Sequence, residues 1–136
     1  MEQQLITLCK TFAHKADELE IKAFNNPDYE QNGFVSDFNE LFDSFCYGKQ
    51  NRTVSGLNFR NPPRYERIKS AVKEEVIQRS AKQYQITFER FPKFGSIRFI
   101  AEKKSDDWRL IRFETYIGIS NHPKDKGEEL WRKHKL

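Results

Sequence analysis

General acid–base chemistry needs a histidine or carboxyl group with a shifted pKa in a sheltered place, and this 136-residue chain offers few. His14, His122 and His134 fall in the first predicted helix, a loop and the tail, away from the predicted inner strands. Asp106 and Asp107 belong to a charged turn, where solvated turn formers are expected. Glu89 and Glu114, set near Arg98 and Arg112, fit a buried charged cluster, and for that composition salt-bridged glutamate is a commoner outcome than catalytic glutamate. Cys9 and Cys46 lie on apolar faces of predicted helices without metal-ligand spacing, so buried free thiols are expected. There is no glycine-rich phosphate loop, serine-nucleophile motif or His/Cys metal pattern. The expectation is no catalytic residue, no bound metal and no cofactor.

Composition points to a folded protein. Apolar residues make up 37% and charged residues 32%, and 12 Phe, 5 Tyr and 2 Trp supply large, rigid core pieces that disordered chains lack. Residues 1–136 fit one domain, the common size being ~100–150 residues. The formal net charge of +4 is weak evidence for a nucleic-acid partner, because acids are interspersed nearly everywhere and leave no long single-sign stripe. Even the densest basic region, Arg64 to Lys82, carries Glu66, Glu74 and Glu75. No run approaches the ~20 apolar residues of a membrane helix, and "MEQQLITLCKTFAHKADE" has acids and amides where a signal peptide is basic. A cytoplasmic location is expected, where the sequon at Asn51 has no meaning.

The elements that position these residues follow from periodicity. Leu5, Leu8, Cys9, Phe12, Ala16, Leu19 and Ala23 share one helical face and predict a helix from about residue 3 to 24. "NNPDYEQNG" reads as punctuation. Phe34, Phe38, Leu41, Phe42 and Phe45 predict a second helix, with Ser36 or Asp37 as its cap and Gly48 to end it. Pro62–Pro63 enforces an extended backbone, and "TVSGLNF" reads as a short edge strand. "QYQITFERF" alternates as a half-buried strand. After the turn "PKFG", Ser96 to Glu102 and Trp108 to Ile119 form a hairpin joined by "KKSDD". The segment "RIKSAVKEEVIQRSA" stays open between helix, which local pattern slightly favours, and strand. The tail "KDKGEELWRKHKL" reads as a last helical turn anchored by Leu130 or Trp131. The class is α+β, with amphipathic helices packed on an antiparallel sheet.

Strict alternation sorts the strands into two faces. Tyr84, Ile86, Phe88, Ile97, Phe99, Ala101, Ile111, Phe113, Ile117 and Ile119 are expected to form the core. Gln83, Gln85, Thr87, Glu89, Arg98, Ile100, Glu102, Trp108, Leu110, Arg112, Glu114 and Tyr116 are expected on the opposite, polar face. Trp, Tyr and Arg are enriched at protein–protein hot spots, so this face is expected to bind a protein partner.

The order of elements, the "PPRYE" segment at Pro62 to Glu66, and the hairpin of aromatic strand, charged turn, Trp and aliphatic strand at Phe99 to Ile111 together resemble the immunity proteins of the nuclear transport factor 2-like fold. That resemblance implies a cone of helices against a curved sheet, a strand at residues 68–79, and a cognate bacterial polymorphic toxin as partner. It also implies inhibition by binding, and the residues of the polar face, Arg98, Trp108, Arg112, Glu114 and Tyr116, are then the expected toxin contacts. The alternatives are a small-ligand binder or enzyme using the interior of the cone, and a nucleic-acid-binding accessory domain whose affinity would fall steeply with salt.

Overall fold

Apolar side chains repeating every three or four positions wind the N-terminal part of the chain into helices. A computed structural model describes residues 1–49, 59 and 61–136. Among them, α1 (Glu2–Asn25), α2 (Pro27–Asn32) and α3 (Phe34–Phe45) precede strands β1 (Lys73–Ser80), β2 (Gln83–Glu89), β3 (Ile97–Lys104), β4 (Asp107–Ile119) and β5 (Glu129–His134). The strands form one antiparallel sheet in sequence order, as their short connections require. The α+β class is as expected. The expected edge strand "TVSGLNF" lies outside the described residues except for Phe59.

One face of α1 buries Leu5, Cys9, Phe12, Ala13, Ala16 and Ala23, and α3 buries Phe34, Phe38 and Phe42. These meet Ile86, Phe88, Ile97, Phe99 and Phe113 from the sheet in one core. Tyr65 stands at its centre, its ring 5.7 Å from Phe12, 5.6 Å from Phe99 and 5.1 Å from Phe113. Both cysteines are buried and free, as expected, and burial pushes both thiols up, away from the reactive thiolate.

Several local expectations are corrected. "NNPDYEQN" contains a helix: Pro27 opens α2, where a missing N–H costs nothing, and the Asn26 side chain accepts the Tyr29 N–H as a cap. Neither Ser36 nor Asp37 caps α3, whose N-cap is Gly33; the Asp37 carboxylate instead accepts the Tyr29 hydroxyl at 2.6 Å. Gly48, at φ 98°, lies beyond the helix end, because Cys46 is already extended and bridges to Leu110. Residues 66–80, where local pattern favoured a helix, make a 3-10 turn (Glu66–Ser70) and then β1, whose ladder with β2 overrides the helical pattern. The tail is no helical turn: residues 129–134 pair with β4 as β5.

Two buried acids of α1 hold the entry to the sheet. The Asp17 carboxylate accepts the Tyr65 N–H at 3.0 Å, and Glu20 accepts the Arg64 N–H at 3.1 Å. Burial pushes the Asp17 carboxyl from its ordinary 3.8 up to about 6; the Tyr65 N–H pulls it down, while the nearby Glu20 and Glu66 push it further up. The fold thus favours the protonated form. This group's contribution to stability is complete below pH 3.8 and lost as the pH rises through about 6. Asp17→Asn keeps the acceptor oxygen and removes the charge. The variant is expected to be more stable than wild type at pH 7, by roughly 1–3 kcal/mol, with the gain vanishing near pH 4. Urea unfolding of both proteins across that range checks it, and an unchanged or negative difference at pH 7 would contradict it.

Candidate functional site

The sheet face turned away from the helices is built around one carboxylate. Glu114, in the middle of β4, is 1% exposed and is flanked in the ladder by Arg98 of β3 and Lys133 of β5. Its Oε1 accepts a hydrogen bond from Arg98 Nε at 2.6 Å and its Oε2 one from Arg112 Nε at 2.8 Å. A third guanidinium arrives from β1. The register steps from Gln78↔Tyr84 to Ser80↔Gln83, leaving Arg79 as a bulge residue unpaired in the backbone ladder, and bulges re-aim side chains in this way. Arg79 donates its Nε to Gln85 Oε1 at 3.1 Å and brings Nη2 to 3.9 Å from Glu114. Ile100, fully buried, pairs with Gln85 on one side and Arg112 on the other, giving this polar face an apolar floor.

Burial pushes the Glu114 carboxyl up, but the hydrogen bonds from Arg112 and Arg98 outweigh that push and hold it below the usual range. A carboxylate with both oxygens engaged and a depressed pKa is a poor general base at neutral pH. The same burial pulls Arg79 down from its ordinary value, against the attraction of Glu114.

From this cluster an aromatic row runs to the end of the sheet. The Arg98 guanidinium lies 4.2 Å from the Trp131 ring centre. Trp131 meets Tyr116 at 5.5 Å, and Tyr116 meets Phe94 at 5.6 Å. Lys93 stands over Tyr116 and also pairs with Glu89 and Glu129. A pocket of about 110 Å³ opens here, with Arg98, Trp131, Glu75, Glu89 and Glu129 among its walls. Beyond it the turn between β2 and β3 presents Phe91 at 88% and Phe94 at 66% exposure, with Phe94 edge-on against Tyr116. Clustered exposed apolar side chains of this kind mark interaction surfaces.

Four of the five expected contact residues therefore share this face: Arg98, Arg112, Glu114 and Tyr116. Trp108 does not. The β3–β4 register steps from Ile100↔Arg112 to Ala101↔Leu110, so Ile111 is an extra residue and every side chain before it changes face. Trp108 and Leu110 thus join the helix side, where Leu110 is fully buried and Trp108 packs edge-on against Tyr84 at 5.2 Å. Ile111 is only half-buried, and Ile117 and Ile119, expected in the core, are exposed near a second register step opposite β5. Glu89 is not part of the Glu114 cluster; its partner is Lys93. His134, expected in a tail that reads as a helical turn, belongs to β5: it stacks on Phe113 at 4.8 Å, lies 2.8 Å from the Thr115 hydroxyl, and is pulled down from its ordinary pKa by burial.

Sequence reasoning missed Arg79, Trp131 and Phe94. Nothing local marked Arg79 as a bulge residue, and the adjacent Leu130 and Trp131 in "ELWRKH" hid the period-two signal of the strand that carries Trp131. Among the described residues no group of three or more His, Cys, Asp or Glu side chains is placed to hold a metal ion, and no helix is long and apolar enough to cross a membrane. No family model, no curated protein and no solved structure matches the chain.

Proposed function

We propose that the protein is an immunity protein of the nuclear transport factor 2-like type, which binds a cognate bacterial toxin domain in the cytoplasm and neutralises it by covering its active site or substrate groove. The observation that carries this reading is the open sheet face, where ordered arginines and a row of aromatic rings sit beside an exposed aromatic turn. Large planar side chains held in place before binding lose little conformational freedom in a complex. The helix-facing interior is filled by Phe12, Tyr65, Phe99 and Phe113, a packing that suits a binding module better than a ligand-holding cone. Glu114, ionised and saturated by guanidinium groups, suits a structural part better than a catalytic one.

The test is co-expression of this chain with the product of the adjacent gene. Survival of cells that the neighbour alone kills, together with co-purification of the two proteins at moderate salt, is the expected result. A harmless neighbour and no complex would remove the proposal.

A further inference from the structure

Three guanidinium groups share one carboxylate on the open face, an imbalance of two positive charges within a single cluster. The carboxylate does not exhaust them. Each arginine carries five N–H donors, and among the described residues Arg98 and Arg112 donate to no acceptor other than Glu114, through Nε. The forks are also ordered in advance. Their side chains are only 15% and 25% exposed, and the Arg98 guanidinium lies over the Trp131 ring, 4.2 Å from its centre. Planar, pre-positioned guanidinium groups with donors to spare are suited to a second carboxylate or a phosphate.

The surroundings choose between a localised anion and a polyanion. Glu75, Glu89 and Glu129 line the same pocket as Arg98 and Trp131, so a phosphate chain laid across this face would meet carboxylates on either side of the arginines. A single carboxylate at the end of a short side chain has only to reach the guanidinium forks, of which Arg98 shares its pocket with Lys93 and Trp131. From this geometry we infer that Arg79, Arg98 and Arg112 form a receptor for one acidic side chain, an aspartate or glutamate presented by the partner protein. The inference rests on the protein-binding reading above and adds the chemistry of the partner's contact: a carboxylate set in an apolar surface that covers Trp131 and Tyr116.

The protein alone supplies a first test. Titration with N-acetylglutamate, inorganic phosphate and a short single-stranded oligonucleotide is followed through the Arg Nε–H and Trp indole resonances. N-acetylglutamate is expected to shift the Arg98, Arg112 and Trp131 signals at millimolar concentration, and Arg79→Gln, which leaves both close bonds to Glu114 in place, to weaken the effect. Absence of these shifts overturns the inference; so does an oligonucleotide that binds more tightly than the amino acid, with affinity falling steeply in salt.

The second test uses the complex. Arg79→Gln is expected to weaken it by about tenfold and to flatten its salt dependence; the charge-neutral pair Arg112→Gln with Glu114→Gln, which keeps the excess of two positive charges, is expected to weaken it by about tenfold through the lost guanidinium donors, with the salt dependence kept. Unfolding curves of the free variants serve as the control for folding. Wild-type affinity in both variants overturns the carboxylate receptor while leaving the immunity role standing. Carboxylate binding without any toxin complex would instead retire the immunity role and leave the receptor to another acidic partner.

Discussion

Replacing Glu114 with alanine is expected to lower the stability of the fold by about 3 kcal/mol at neutral pH, because it leaves three guanidinium groups facing one another without their counter-ion. The estimate sits at the low end for a broken buried pair: the side chains of Arg98, Arg112 and Arg79 are 15%, 25% and 30% exposed and can recover some hydration. Glu114→Gln, which keeps the shape and one acceptor oxygen, is expected to cost less. The sign of the pH dependence follows from the depressed carboxyl. A group whose folded pKa lies below its unfolded one stabilises above the ordinary value, and that contribution is lost as the pH falls through the folded value. The gap between wild type and Glu114→Ala should therefore be widest near pH 7 and narrow in acid. Urea unfolding at pH 7 and pH 3 reads both quantities. A loss below about 1 kcal/mol at pH 7 would mean that the cluster behaves like ordinary solvated surface pairs.

The elements that escaped the sequence are those whose form is decided by a neighbour. The stripes of α1 and α3 and the alternation of β2 are local, and each formed where its period placed it. By contrast β1, "KEEVIQRS", is an edge strand with nearly every side chain exposed, so neither face needed apolar residues and no alternation was selected. Charged edges of this kind protect a sheet from further pairing. In β5 the only strongly apolar residues, Leu130 and Trp131, are adjacent and point to opposite faces, which destroys the period-two signal. The bulge at Ile111 is the costliest case. "WRLIRFE" alternates as Trp-Arg-Leu and again as Ile-Arg-Phe-Glu, with the apolar neighbours Leu110 and Ile111 at the break; strict alternation carried across that break ignores the unpaired residue that reverses the face of everything before it. Arg98, Arg112, Glu114 and Tyr116 lie on the far side of that bulge or on another strand and kept their predicted face. Trp108 lies before it and did not. The part of the site that depended on β1 and β5, Arg79 and Trp131, was illegible because those strands were.

That reversal gives the two tryptophans opposite expected consequences. Trp108 packs against Tyr84 and the core on the helix side, so Trp108→Ala removes buried aromatic contacts there. It should destabilise the fold by about 2 kcal/mol, less than the loss typical of a fully buried Trp because the residue is half-buried. Its effect on the proposed complex, once the variant is folded, should be small. Trp131 lies on an edge strand between Arg98 and Tyr116, where it supports little of the core and is well placed to be covered by a partner. Trp131→Ala is expected to raise the Kd of the complex by about thirtyfold, the ~2 kcal/mol of an interface hot spot, mostly through faster dissociation. The free protein should lose less than about 1 kcal/mol, as expected for a residue outside the core. Unfolding curves of both variants, with dissociation rates of their complexes, separate the two effects. If Trp108→Ala, folded, releases the proposed partner while Trp131→Ala holds it as tightly as wild type, the partner binds at the other surface of the sheet, near the tip of the β3–β4 hairpin, and the open face is then a solvated charge network.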